Sequence, residues 1–180
     1  SSVNRPANSV LQNKKLLDNF NYKMEDWKVA IRKYLLEENK MKRKVLVTGA
    51  NGYVGRHVVK ALLDKGCEVI ASDFKFDGVD ERAQRNTTPI FSDEENLYEK
   101  LGSPDVVVHL AWRNGFVHNA DTHITDLPNH YNFIKKMVDA KLPQLVVMGT
   151  MHEVGYWEGA INGDTPTNPT SMYGIAKNTL

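Results

Sequence analysis

Lys44-Val-Leu-Val-Thr48-Gly-Ala-Asn-Gly-Tyr-Val-Gly55 decides the fold. Its first five residues are apolar enough for a buried strand. Glycines then fall at 49, 52 and 55, and Val54 to Lys65 carries Val58, Val59, Leu62 and Leu63 as one apolar helical stripe that stops at Gly66. A glycine loop that leaves a strand and opens a helix is the setting a dinucleotide loop requires. The three glycines do different things. Gly49 permits the tight turn out of the strand, Gly52 lets backbone approach a pyrophosphate, and Gly55 lets the helix pack close to the sheet. The helix N-terminus adds free N–H groups and a partial positive charge. Gly49, Asn51, Gly52, Tyr53, Val54 and Gly55 are therefore the first candidate cofactor-binding residues.

Working toward the C-terminus, Cys67 to Ser72 reads as a second strand ending at Asp73. A carboxylate at that point of a βαβ unit accepts hydrogen bonds from the adenosine ribose hydroxyls and repels a 2′-phosphate. Asp73 thus favours NAD, while Lys75, two residues on, keeps NADP possible. Asp73 to Pro89 is polar, and Ile90 with Phe91 is the expected third strand. A helix is expected over 94–101, a buried strand from Asp105 to Ala111, a helix from Asn129 to Ala140, and a further buried strand from Gln144 to Met148. Near-continuous Val/Leu runs separated by helices predict an α/β fold with a parallel sheet covered on both faces.

Tyr173-Gly-Ile-Ala-Lys177 sets a phenol and an ammonium four residues apart, on one face if the segment is helical. A phenol of ordinary pKa is a poor acid–base group at neutral pH. A nearby ammonium favours the phenolate and makes it useful. Taken alone, the spacing equally suits a solvated helix face; its weight comes from lying downstream of the glycine loop and two more strands. His109 reads as a core residue of its strand. His118, His123 and His130 lack metal-ligand spacing and read as solvated loop or helix positions, so no metal is expected. His152 and Glu153 fit a pocket lining or a plain loop equally well. Trp112 and Arg113 sit where side chains face a cofactor or a substrate diphosphate, with Arg113 a candidate phosphate ligand.

Thr48-Gly-x-x-Gly-x-x-Gly55, His109-Leu-Ala111, Thr150 after a strand and Tyr173-x-x-x-Lys177 stand in the order of the extended short-chain dehydrogenase/reductase family, which the chain resembles over residues 41–180. That family includes nucleotide-sugar epimerases, dehydratases and reductases. The resemblance implies a Rossmann-type doubly wound parallel sheet, here truncated before the substrate domain. It implies that Tyr173 is the general acid/base, that Lys177 binds the nicotinamide ribose and tunes the tyrosine, and that Thr150 bonds the reacting oxygen. Leu110 and Ala111 would pass beneath the cofactor. The chain departs from the family at two places. An Asp after the third strand is replaced by Pro89-Ile-Phe-Ser, with Asp93 nearby, and an Asn in the helix after His-Leu-Ala has only Asn129 as its match. The implied activity is hydride transfer on a nucleotide-activated sugar of deoxysugar type. The alternative is a non-catalytic Rossmann module or regulatory subunit; intact Thr150, Tyr173 and Lys177 favour the enzyme.

Toward the N-terminus, Trp27, Ile31, Tyr34 and Leu35 repeat with helical spacing. Residues 1–40, with Arg5-Pro-Ala-Asn-Ser9 and Asp26-Trp27, resemble the C-terminal tail of dTDP-4-dehydrorhamnose reductases, which implies the end of a preceding reductase followed by a second, incomplete domain over 41–180. Leu180 falls three residues after Lys177, so the chain is expected to be an inactive fragment that self-associates as a homo-oligomer or pairs with its missing half. The net charge of +1 over 180 residues gives no reason to expect nucleic acid or an anionic membrane as partner. A lone Cys67, no long apolar run and no signal-peptide core at the N-terminus point to a cytoplasmic protein.

Overall fold

The computed structural model describes residues 42–180; the amphipathic helix and tail expected within residues 1–40 lie outside the described residues. Five parallel strands form one sheet in the order β3-β2-β1-β4-β5. They are β1 (Lys44–Thr48), β2 (Glu68–Ser72), β3 (Gln84–Asn86), β4 (Val106–His109) and β5 (Gln144–Val147). The helices are α1 (Tyr53–Asp64), α2 (Leu97–Lys100), α3 (Thr122–Thr125), α4 (Leu127–Asp139) and α5 (Met172–Thr179). The parallel sheet is the one expected from the alternation of apolar runs and helices, and its strand order is the Rossmann-type arrangement that the resemblance implies.

Strand β1 is the spine. Val45 pairs with Val69 and Val106, and Leu46 with Ile70 and Val107. Because side chains alternate across a strand, these rows feed two separate cores. Val45, Val47, Val69 and Ala71 pack with Val59 of α1 on one face. Leu46, Ile70 and Val107 pack with Leu97 and Leu101, around α2, and with Phe133 and Met137 of α4 on the other. Leu46, Val47, Ile70 and Val107 have no exposed surface, which is why these strands read as unbroken apolar runs.

Three expectations are corrected. The third strand is not Ile90–Phe91 but Gln84–Asn86, aligned with Ile70–Ser72 of β2. It is an edge strand of three polar residues, largely exposed, and so carries no apolar signal. Helix α2 is a single turn rather than the eight residues expected. Strand β5 is half-exposed rather than buried: Leu145 packs into the core, but Val146, on the opposite face, is 41% exposed because β5 pairs only with β4 and edges the described sheet. Among the described residues no helix is long and apolar enough to cross a membrane.

Candidate active site

The glycine loop is fixed by close backbone approaches. Gly49 has φ of +67°, and a Cβ there would lie 2.8 Å from the Ala111 nitrogen. A Cβ on Gly55 would fall 2.1 Å from the Gly49 carbonyl oxygen, so α1 can start against the loop only with glycine at this position. Gly52 caps α1 without a side chain, and the first turn holds no acid, so its N–H groups stay open to an anion. Asp73, at the end of β2, accepts the Asn51 N–H at 2.9 Å and the Phe74 N–H at 2.7 Å. The Asn51 side chain accepts the Gly78 N–H at 2.9 Å, tying the loop to the segment after β2. Tyr53 and Val54 are exposed.

A cleft of about 620 Å³ opens over this loop. Gly49, Gly52, Asp73, Leu110, Ala111 and Trp112 line it, and the misassigned Pro89–Phe91 stretch forms a wall opposite Phe74. The residues present fit a dinucleotide: an uncapped helix start for the phosphates, a carboxylate at the strand end, and apolar walls for a flat ring. Asp93, the nearby substitute for the family's Asp, is exposed and does not line the cleft, and Asn129 is likewise exposed on α4.

Beneath the cleft runs a buried polar chain. The Thr48 hydroxyl accepts the Leu110 and Ala111 N–H groups, both at 3.2 Å, which leaves its own hydrogen for Nδ1 of His109 at 2.8 Å. His109 Nε2 then donates to His130 Nδ1 at 2.9 Å. Burial pushes the His109 imidazole down to about 3, with His130 and Lys177 adding to the effect. Burial also pushes His130 down to about 4; Lys177 lowers it further and Asp126 opposes. Both rings are neutral at physiological pH. His123 is buried too, accepting the Trp112 Nε1–H at 3.0 Å and donating to the Val117 carbonyl. The solvated setting expected for His123 and His130 is therefore overturned: both face inward and satisfy the polar edge of an aromatic cluster. His118 is exposed, as expected, but lies parallel to the Tyr173 ring at 5.9 Å between centroids.

Thr150, Tyr173 and Lys177 come together around the 3₁₀ turn Met151–Glu153. Thr150 caps this turn: its hydroxyl accepts the His152 N–H at 3.3 Å, and Glu153 accepts the Thr150 N–H at 2.8 Å. With the hydroxyl oxygen engaged as acceptor, its hydrogen is free to point elsewhere. Helix α5 seats on the same turn. Ser171 caps it, and Gly174 lets it close, since a Cβ there would lie 2.3 Å from the His152 carbonyl oxygen. The Tyr173 N–H donates to the His118 carbonyl at 2.8 Å, and the Tyr173 ring meets the rings of His118, His123 and His152. Lys177 is buried, which pushes its ammonium below its ordinary range while Glu153 opposes.

Residues 45–180 match the NAD dependent epimerase/dehydratase family. The chain belongs to that family. It is 40% identical over 142 residues to dTDP-6-deoxy-L-talose 4-dehydrogenase (NAD(+)) of Aggregatibacter actinomycetemcomitans, covering 76% of this chain and 52% of that protein. It is 29% identical over 72 residues to a decarboxylating sterol-4-alpha-carboxylate 3-dehydrogenase of Dictyostelium discoideum, covering 38% of this chain and 22% of that protein. The fold is shared with UDP-glucose 4-epimerase of Thermotoga maritima, solved with UDP-glucose, at a TM-score of 0.64 and 24% identity over 76% of this chain and 48% of that one. It is shared also with the Thermus thermophilus UDP-glucose 4-epimerase solved with NAD, at a TM-score of 0.62, 24% identity and the same coverage. The chain spans about half the length of the relatives it matches.

Within this epimerase/dehydratase framework, sequence reasoning named Glu153 as a pocket lining or a plain loop without its capping role, and it missed Gly174. Thr150-Met-His-Glu153 is a Thr-x-x-Glu capping box, a signal legible in the residues themselves. The role of Gly174 had no such signal, because it depends on which backbone α5 meets. Arg113, expected to be available for phosphate, is paired with Asp126 through both Nε and Nη2, the latter at 2.7 Å, although it still lines the cleft.

Proposed function

We propose that this chain is the NAD-binding portion of an enzyme that oxidises or epimerises a nucleotide-activated 6-deoxyhexose at a ring carbinol, with Tyr173 as the general acid/base. The observation that carries the proposal is that α5, which bears Tyr173 and Lys177, seats on the turn that Thr150 caps, with Lys177 against Trp112 of the cleft lining. The similarity to a dTDP-6-deoxy-L-talose 4-dehydrogenase favours a dTDP-linked sugar and NAD. Asp73 supports NAD over NADP, because its carboxylate stands at the strand end where a 2′-phosphate would bring more negative charge.

On this reading, NAD supplies the carbon that accepts or returns hydride. Gly49–Gly55 holds the phosphates against the start of α1, while Leu110 and Ala111 support the cofactor from below. The Thr150 hydroxyl, its oxygen occupied by the His152 N–H, donates its hydrogen to the sugar oxygen. Tyr173 takes the proton from that oxygen as the carbinol becomes a carbonyl and returns it in reverse. Lys177 holds the nicotinamide ribose and keeps a positive charge near the phenol. Residues 41–180 are then the cofactor domain.

The test is incubation of the full-length protein with NAD and a panel of dTDP-linked 6-deoxyhexoses and UDP-hexoses, following NADH absorbance and product stereochemistry. Turnover confined to dTDP-6-deoxyhexoses supports the reading. NAD binding with no turnover on any sugar replaces it with a non-catalytic module.

A further inference from the structure

Lys177 is buried, yet among the described residues its ammonium makes no ion pair. What it meets instead is the face of an aromatic ring: its Nζ lies 4.5 Å from the centroid of the Trp112 ring. An indole is the strongest of the aromatic cation acceptors, and the attraction grows when the cation is desolvated.

Trp112 is held by two imidazoles. Its ring stacks on His130 at 4.3 Å between centroids and 18° between planes. Its Nε1–H donates to His123 at 3.0 Å, and the His123 ring is itself tied to the Val117 carbonyl. His130 in turn accepts from His109, which is bonded to Thr48 at the end of β1. The indole plane is thus fixed to the sheet through neutral imidazoles, and the ammonium rests against it.

We propose that Trp112 is the positioning residue for Lys177, its indole face holding the ammonium where a carboxylate would otherwise be needed. The distinction has a chemical consequence. A carboxylate would occupy N–H donors of the ammonium and cancel much of its field. An indole face carries no net charge and takes no directed hydrogen bond, so the three donors and the positive field remain available to a ribose and to Tyr173. The proposal rests on the reading of Lys177 given under Proposed function, but its test does not.

The full-length protein is labelled with lysine carrying 13C at Cε, and the Lys177 signal is assigned by its loss in Lys177→Arg. In the parent, the Lys177 ε-protons should be displaced upfield by the ring current of Trp112. In Trp112→Leu the displacement should vanish and the titration midpoint of Lys177 should fall, since the buried ammonium loses its stabilising face. Trp112→Phe, which keeps a face against His130 and cannot empty the site, should retain part of both. The groups that share this environment are Tyr173 on the same helix, His109, His130 and His123 from the sheet side, and Glu153, His152 and His118 from the loops. None of them is itself substituted; both variants remove the Nε1–H that His123 accepts, and Trp112→Leu also removes the stack on His130. With an active substrate in hand, Trp112→Leu should lower kcat roughly tenfold or more, Trp112→Phe should restore part of it, and the pH profile should move with the Lys177 midpoint. A parental Lys177 signal without ring-current displacement, or a midpoint unmoved in both variants, would overturn the proposal. Absence of turnover in the parent, with these NMR signatures intact, would overturn the enzymatic reading and leave this one standing.

Discussion

The unit β1–α1–β2 and the segment from β5 to α5 are built by different rules. In the first, strands lie in the middle of the sheet, Leu46, Val47 and Ile70 are wholly buried, and the glycine loop is clamped by backbone approaches and by Asp73. In the second, Val146 and Met148 are each 41% exposed, Met151 is 70% exposed, and α5 is located by contacts to loops: the His118 carbonyl, the Asn119 side chain and the His152 carbonyl. The geometry of the glycine loop is therefore set by the core, whereas that of the segment carrying Thr150, Tyr173 and Lys177 is set by turns that meet at the edge of the described sheet. Loops carried by a rigid sheet are where function is most easily varied.

The sharpest test of that division is Tyr173→Phe in the full-length protein. The ring and its contacts with His118, His123 and His152 remain, and only the hydroxyl is lost. Turnover should fall by roughly 10²–10⁴-fold, the scale of general acid–base catalysis. Calorimetric titration should find NAD affinity nearly unchanged, because the phosphates belong to the other unit. Parental turnover would remove Tyr173 from the chemistry; loss of NAD binding would show that the two units are not separable.

The buried chain Thr48–His109–His130 runs from the first unit through β4 and α4 to Trp112, against which Lys177 of the second rests, and it makes stability depend on pH. The folded pKa values of His109 and His130, about 3 and about 4, lie below the ordinary imidazole value of 6.5. The unfolded chain therefore binds more protons than the folded one below pH 6.5, and stability rises with pH in that range. The contribution is fully present above pH 6.5 and is lost progressively as pH falls from there toward 4 for His130 and toward 3 for His109. At pH 5 the loss should be on the order of 2 kcal/mol for each imidazole. Denaturant titrations at pH 7 and 5 measure it. His130→Gln, which can still accept from His109, should remove about half of the difference; an undiminished difference would place its origin elsewhere.

Gly55→Ala probes the first unit alone. Its Cβ would strike backbone that has no room to yield, so α1 must shift, at a cost of about 1–3 kcal/mol, the usual scale for overpacking. Melting temperature should fall, and NAD binding should weaken severely. Gly115→Ala, in the loop after β4 with nothing near its added Cβ, is the matched control and should leave both unchanged.

How far the sequence carried the reading follows the same division. Interior strands were legible because burial on both faces demands the unbroken Val/Leu runs of 45–47 and 106–108. The glycine loop was legible because Gly49 and Gly55 are steric requirements. The third strand was not, because Gln84–Asn86 is an exposed edge held by backbone pairing rather than by apolar side chains. His123 and His130 were misread as solvated because a polar side chain reveals its burial only through its partners, here Trp112 and His109, which are distant in sequence or concealed by a loop. The pair Tyr173 and Lys177 was visible as a spacing, but its contact with Trp112 depends on how α5 meets the end of β4, which no local pattern encodes.

The smallest expected effect lies inside the first unit and separates two jobs of one carboxylate. Asp73 accepts the Asn51 N–H, which fixes the loop, and it stands at the strand end where a ribose would be recognised. Asp73→Ala removes both functions. Asp73→Asn retains an acceptor oxygen for the Asn51 N–H but gives up the negative charge. If charge sets the preference for NAD over NADP, both variants should narrow the ratio of the two affinities, by about tenfold for a change near 1.4 kcal/mol. Only Asp73→Ala should also weaken NAD itself through the loosened loop. Calorimetry with both cofactors on the parent and the two variants resolves the roles. An NADP preference in the parent would overturn the charge argument, and would turn attention to Lys75, which is exposed two residues along the same segment.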